Sequence, residues 1–351
     1  MAAKSAGSPP SRVVLVTGVS RHLGGRLARE LVGAPGIKRV IGVDVIPPPG
    51  DLGGAEFVRA DIRNPIIAKV ITAAGVDTVV HMSVIATPVS AGGRTSMKEI
   101  NVIGTMQLLA ACQKADSIRK LVVKSSTAVY GASPKDPAMF TEDMEPKAMP
   151  RSGFGKDSVE VEGYVRGFAR RRPDVTVSMA RFANFLGPRI DTPFTSYFQL
   201  PVVPTVLGFD PRMQFVHEDD GIDLLRRLTL EDHPGTFNAA GEGALLLSQA
   251  AHRAGRPTLP LPSPLVSAFG DWIRRSRIVD FSPEQIRFLS YGRMVDTSRA
   301  ERRIGWTPKH STRETFDEFV AVRGINRHLP AERVEALEHL VAGALSRGGG
   351  A

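Results

Sequence analysis

The amino-acid sequence predicts an α/β chain built on a doubly wound parallel sheet. Three observations carry that prediction. Short β-branched apolar runs recur through the first third of the chain, each running into polar residues at its carboxyl end; helical patterns separate several of them; and a glycine turn follows the first run. Strands of this kind, joined by helices, place the chemistry along the carboxyl edge of one sheet.

The elements follow in order. Val13-Val14-Leu15-Val16 is a continuous apolar run, as a strand buried on both faces requires, and it breaks at Thr17-Gly18 before a helical pattern from Leu23 to Leu31. Val40-Ile41-Gly42-Val43 ends in Asp44, Glu56-Phe57-Val58-Arg59 ends near Asp61, and Thr78-Val79-Val80 ends at His81. Leu121-Val122-Val123 ends at Ser125-Ser126. No internal repeat interrupts this succession.

Composition narrows the class. With 351 residues, 42% of them hydrophobic, and no apolar run long enough to span a bilayer, the chain can bury a large core and is expected to be soluble and cytoplasmic. Residues 1–11 are small, polar and Pro-rich, and read as a disordered lead-in. The one cysteine, Cys112, falls in the apolar pattern Leu108-Leu109-Ala110-Ala111-Cys112; this excludes an intrachain disulfide framework and suits a reducing compartment. The formal charge of +9 does not make a nucleic-acid surface, because the arginines sit in short clusters such as Arg170-Arg171-Arg172 without interleaved aromatics. His81 and His217 read as hydrogen-bonded structural residues, and no Cys, His or Asp spacing marks a metal site.

Thr17-Gly18-Val19-Ser20-Arg21-His22-Leu23-Gly24 stands where a phosphate-binding turn belongs. Backbone N–H groups of such a turn approach a pyrophosphate, and the helix that follows adds partial positive charge. The middle position is Arg21 rather than glycine, so its side chain either points away from the turn or contacts phosphate itself. Asp44, ending the second strand, is placed to accept hydrogen bonds from an adenosine ribose and to repel a 2′-phosphate, which favours NAD over NADP. Arg21 keeps NADP open, and a plain turn role before Pro47-Pro48-Pro49 is the alternative for Asp44.

With these pieces in hand, the chain resembles an extended short-chain dehydrogenase/reductase of the NAD-dependent epimerase/dehydratase family. The resemblance covers roughly residues 12–320 and adds Asn101-Val102-x-Gly104-Thr105, Ser125-Ser126-Thr127-Ala128-Val129-Tyr130-Gly131, Lys156, Arg181-x-x-Asn184-x-x-Gly187-Pro188 and Phe215-Val216-His217-x-Asp219-Asp220. Phe237-Asn238, Asp296-x-Ser298 and Gly305-Trp306-x-Pro308 complete the series in the family's order. It implies a Rossmann-type sheet with a smaller C-terminal substrate lobe: residues 12–180 mainly the NAD-binding domain, 181–330 mainly the substrate lobe with segments returning to the sheet, and 331–351 a C-terminal helix and mobile tail. It also implies a homodimer and a small-molecule substrate of the nucleotide-sugar kind.

Roles carry over only where residues match. Gly18, Arg21, Leu23, Gly24 and Asp44 resemble the family's cofactor turn and ribose carboxylate, while Asp61 and Ile62 resemble the pair that contacts adenine. Lys156 resembles the lysine that binds the nicotinamide ribose, Ser126 the hydroxyl that orients substrate, and Asn184 the amide on a nucleotide-sugar phosphate. Each has a plainer alternative: Lys156 as a surface helix lysine, Ser126 as a strand-end hydroxyl satisfying backbone, Asn184 as a loop cap.

Two departures bear on chemistry. Where the family carries Tyr-x-x-x-Lys, this chain reads Ser152-Gly153-Phe154-Gly155-Lys156. A serine hydroxyl ends one bond beyond Cβ, cannot reach where a tyrosine oxygen lies, and is far less acidic. Losing one positioned acid/base typically costs about 10²- to 10⁴-fold. Four residues before His217, where the family places a diphosphate-clamping arginine, stands Met213; Arg212 is the nearest arginine and is expected to bind substrate in its place. The Pro-rich run 257–264 leads into a basic amphipathic helix, Leu265 to Arg275, which is expected to pack within the protein or on a second subunit rather than on a membrane.

Two function classes follow. One is an NAD-dependent epimerase, dehydratase or dehydrogenase with a rearranged acid/base site; the other is a pseudoenzyme that keeps the nucleotide fold as a regulatory module. Lys156, Ser126 and Asn184 favour the first, and Ser152 the second.

Overall fold

The computed structural model describes residues 12–86, 92–262 and 283–325. The expectations for residues 1–11, for the Leu265–Arg275 helix and for the tail 331–351 lie outside those residues. Strands β1 (Arg12–Thr17), β2 (Ile37–Asp44), β3 (Glu56–Arg59), β4 (Thr78–His81), β5 (Lys120–Ser126), β6 (Thr176–Phe182) and β11 (Gly235–Ala239) form one seven-stranded sheet. Its order is β11-β6-β5-β4-β1-β2-β3, with every pair parallel. The doubly wound sheet expected from the sequence is therefore present.

Strand alternation divides the core in two. Val14 and Val16 face one side, with Val80, Val122 and Ala180; there they meet Leu23, Leu27 and Leu31 of α1 (His22–Leu31) and Leu224, Leu225 and Leu228 of α7 (Glu218–Leu230). Leu15, Ile41, Val79, Leu121 and Val123 face the other side. They meet Ile67 and Ile71 of α2 (Ile66–Ala74), Leu108 and Cys112 of α4 (Thr105–Lys114), and Val161, Val165 and Phe168 of α5 (Gly153–Arg171). Cys112 lies fully buried in this second core, which pushes its thiol up to about 12 and leaves it protonated at neutral pH.

Ahead of α4, the short helix α3 (Arg94–Lys98) passes through a π-helical turn, Glu99–Gly104. Asn101 in that turn accepts from the Ile85 N–H at 2.7 Å and donates to the Ile85 carbonyl at 2.9 Å, fixing the segment that leaves β4. Gly104 faces Ile62, whose Cδ1 would stand 2.8 Å from any Cβ there.

A second lobe gathers an aromatic core. Phe194, Tyr197 and Phe198 of α6 (Pro193–Gln199) pack with Phe215, with Phe288 and Leu289 of α9 (Pro283–Tyr291), and with Phe316 and Phe319 of α11 (Thr312–Arg323). Three two-stranded ladders frame it: β7 (Asn184–Leu186) with β10 (Phe215–His217), β9 (Arg212–Met213) with β12 (Leu245–Leu246), and β8 (Val203–Val206) with β13 (Thr258–Leu261). β11 returns to the edge of the large sheet, and α10 (Ser298–Ile304) packs with it against the first core. The remaining helix, α8 (Leu247–Arg253), belongs to the second lobe.

Candidate functional site

The chain leaves β1 for β2 on one side of the sheet and places β4 on the other, so a crevice opens at the carboxyl ends of β1 and β4. A cavity of about 590 Å³ occupies it and continues to the second lobe. At one end stands the turn after β1. Gly18 adopts φ +77°, and a Cβ on Gly24 would lie 2.2 Å from the Gly18 carbonyl oxygen, so the helix can close on the turn only through glycine. The N–H groups at the start of α1 have no carbonyl one turn back to bond, which suits this end to an anionic ligand. Arg21, Leu23 and Gly24 line the cavity with Gly18.

Asp44 is placed one contact behind the wall. Its Oδ2 accepts the Ser20 hydroxyl at 2.5 Å and the Ser20 N–H at 3.0 Å, and Ser20 lines the cavity. Asp61 and Ile62 are further from it. Asp61 is held below the usual carboxylate range by hydrogen bonds from the Arg63 guanidinium, at 2.6 Å for the shortest, and Ile62 is buried under Gly104. Neither is among the described lining residues.

Further along, β5 delivers Lys124, Ser125 and Ser126. Ser126 caps a 3-10 turn, its Oγ accepting from the Ala128 N–H at 3.1 Å, and remains at the cavity wall. Ser152 is the residue before α5, and both its N–H and its hydroxyl donate to Glu284 Oε1, at 2.6 and 2.8 Å. Gly155 follows on the same wall, lying close to Pro150 and the Ala128 carbonyl.

Two further residues singled out in the sequence stand off the described cavity wall. Lys156 does not line the described cavity: its side chain is 45% exposed and its ammonium lies 3.8 Å from Glu160, one turn on along the solvated helix face. Arg212 also lies elsewhere, exposed on β9. Successive strand residues point opposite ways, and Met213 takes the buried side. Asn184 does line the cavity, as do Arg189, Arg287 and Arg293. Arg293 donates to the Gly131 carbonyl at 2.6 Å and lies 5.0 Å over the Phe288 ring. Burial lowers its pKa to about 10, so it stays cationic at neutral pH.

The tyrosines stand away from the described cavity wall. The chain has four, and none is among the lining residues. Tyr130 is buried, stacked on Phe140, and bonded to Arg181 and Asn238. Tyr197 is buried and donates to the Pro204 carbonyl, while Tyr164 and Tyr291 are substantially exposed.

The two histidines take supporting places. His81 bridges Thr17 Oγ1 at 3.0 Å and Thr105 Oγ1 at 2.8 Å, and burial, with the nearby Lys124 charge, lowers its pKa to about 3. His217 accepts the Asp219 N–H at 3.2 Å and lies against His310, with ring centroids 4.0 Å apart and planes tilted by 31°. His217, His310 and Glu318 each offer a ligand atom within 4.8 Å of the others, and His217 Nε2 lies 3.2 Å from Glu318.

A sequence model of the NAD dependent epimerase/dehydratase family matches residues 14–240. The chain belongs to this family. It is 46% identical over 342 residues to the uncharacterized protein Rv0501 of Mycobacterium tuberculosis, covering 96% of this chain and 91% of that one. A second relative, the uncharacterized protein y4nG of Sinorhizobium fredii, is 26% identical over 333 residues, covering 89% of this chain and 80% of that one. Among solved structures, the UDP-glucose 4-epimerase of Thermotoga maritima with UDP-glucose superposes with a TM-score of 0.68 at 20% identity, covering 89% of this chain and 98% of that one. The UDP-glucuronic acid 4-epimerase of Bacillus cereus, in complex with UDP-glucuronic acid and NAD, gives 0.67 at 18% identity, with 89% and 99% covered. These structural likenesses are of fold. Within the family's fold, the glycine turn, Ser126 and Asn184 of this chain meet around one cavity.

Lys124, Glu284 and the lining arginines Arg189, Arg287 and Arg293 had no role in the sequence reading. Lys124 was within reach of it, since a lysine two residues before Ser126 on one strand shares that serine's face. Glu284 carried no such signal; it meets Ser152 from 132 residues away in the chain.

Proposed function

We propose that this protein is an NAD-dependent oxidoreductase of the epimerase or dehydratase kind, acting on a hydroxyl of a sugar nucleotide or related compound. The carrying observation is the single cavity that joins the glycine turn to Asn184 and Arg293. A dinucleotide fits the turn because a Cβ at Gly24 would fill the space that lets α1 approach Gly18, while Arg21 adds a cation at the same end. Asp44, steadied by Ser20, favours NAD over NADP. The nicotinamide, when bound, supplies a reversible hydride acceptor. Ser126 would orient the substrate hydroxyl, and Asn184, Arg189, Arg287 and Arg293 would hold an anionic leaving or carrier group such as a diphosphate. A reducing, cytoplasmic setting suits the buried, protonated Cys112, and a homodimer is proposed on family resemblance alone.

A second reading has an observation of its own. With no tyrosine among the described lining residues, a cofactor-binding regulatory protein without turnover is the competing proposal. Mass spectrometry of nucleotides co-purified with the protein, followed by incubation with UDP-glucose and related UDP-sugars, separates the two. Bound NAD with conversion of a sugar supports the enzyme; bound NAD with no conversion across the panel supports the regulator.

A further inference from the structure

The reaction proposed above removes two hydrogens from a carbinol. One leaves carbon with its electron pair as hydride to an oxidised nicotinamide dinucleotide; the other leaves oxygen as a proton and needs a protein acceptor. Ser152 is a poor one: its hydroxyl already donates to Glu284, and it is too short to reach where a tyrosine oxygen would lie. Lys156 is turned to Glu160. We propose that Lys124 is the proton carrier of this site, a catalytic residue that takes the substrate hydroxyl proton as a neutral amine and returns it when the carbonyl is reduced. The proposal rests on the oxidoreductase reading.

Placement argues for it first. Lys124 and Ser126 are alternate residues of β5, so their side chains leave the same face of the strand, about 7 Å apart at the backbone, and both line the cavity. The strand interior is otherwise apolar here, with Val122 and Val123 fully buried, so an ammonium at this position has to be held by something. Among the described residues one contact holds it: Nζ donates to the Val84 carbonyl at 3.2 Å. That leaves the remaining valences of the nitrogen for the cavity. Val84 belongs to the segment after β4 that Asn101 pins through Ile85, so the anchor is itself fixed.

The electrostatic setting agrees. The charged and titratable groups acting on Lys124 are Arg21 from the glycine turn and His81 from β4. His81 is neutral at ordinary pH, and Arg21 repels a second cation. Burial first, and Arg21 second, lower the lysine pKa to about 8. A group poised there exchanges protons efficiently near neutrality. The step balances: carbinol, oxidised nicotinamide and neutral amine give carbonyl, reduced nicotinamide and ammonium.

The test has two arms. In the first, full-length protein is labelled by reductive ¹³C-methylation and its lysine resonances are titrated with and without NAD, the Lys124→Arg variant supplying the assignment. One resonance, missing from the variant, is expected to titrate near pH 8; a Lys124 that titrates in the ordinary lysine range overturns the proposal whether or not any substrate is found. In the second arm, nicotinamide fluorescence follows cofactor reduction by UDP-glucose in a single turnover. The wild-type rate should rise through about pH 8 and level off, and Lys124→Met should lose about 100-fold or more while binding NAD within a few-fold of wild type. An unchanged rate and profile in Lys124→Met, or transfer of the whole loss to Glu284→Gln, overturns it. If wild type reduces no cofactor with any UDP-sugar, the oxidoreductase reading fails, and the titration arm still decides whether Lys124 is the site's exchangeable amine.

Discussion

Ser152 makes two hydrogen bonds to one carboxylate oxygen and caps nothing with its side chain. Its substitution by alanine removes only the hydroxyl bond and leaves the backbone bond to Glu284. Ser152→Ala is therefore expected to cost about 0.5–1.5 kcal/mol in denaturant unfolding and to leave cofactor affinity within a few-fold. A loss of a hundredfold or more in turnover would return the acid/base role to Ser152. At this scale sequence and structure agree on Gly18 and Gly24, because steric exclusion by a backbone oxygen is a local effect that a turn motif records. Lys156 stands off the described cavity wall: which face of a helix meets a cavity depends on where the helix starts and what it packs on, and a spacing of four residues does not specify that.

Two elements show how the site is held. Where β5, β6 and α5 meet, Arg181 grips Glu162 through two nitrogens, at 2.9 and 2.6 Å, and donates to Tyr130 at 2.8 Å. Ser125 donates to the same carboxylate at 2.7 Å, so the residue beside Ser126 is braced by this pair. Arg181→Met leaves the buried Glu162 carboxylate, among the described residues, only Arg166, at 3.1 Å, and Ser125 as partners and is expected to destabilise by about 3 kcal/mol; adding Glu162→Leu should recover much of that. Equal destabilisation in single and double variants would show that packing, not charge, decides the cost. The second case joins β1 to α4 through His81. Its pKa falls from 6.5 to about 3 on folding, so between those values the unfolded chain binds a proton that the folded chain refuses. Stability from this residue is complete above pH 6.5 and is lost as pH falls toward 3, by up to about 1.4 kcal/mol per unit. Unfolding midpoints measured at descending pH should fall less steeply in His81→Gln. The strands themselves were legible in the sequence as apolar runs, since burial on both faces leaves that mark. The π-turn at Glu99–Gly104 was not, because its hydrogen bonds answer to Asn101 and the segment after β4 rather than to any local pattern.

For the whole molecule, the sheet order creates the crevice and the second lobe closes one end of it with arginines. The ordered series of motifs made the fold and the cofactor end readable, because each lies within one strand–turn–helix unit. The substrate end was less so: Glu284 and Arg293 reach the cavity from the far end of the chain, and Arg212, the sequence's choice, stands outside it. An oxidoreductase or a cofactor-binding regulator alike requires that the cavity receive NAD at the glycine turn. Calorimetric titration of the purified chain with NAD and NADP is the direct measurement. Saturable binding of NAD, at least about tenfold (~1.4 kcal/mol) tighter than NADP and lost in Gly24→Ala, is the predicted result; no heat with either dinucleotide, or undiminished binding in Gly24→Ala, would contradict it.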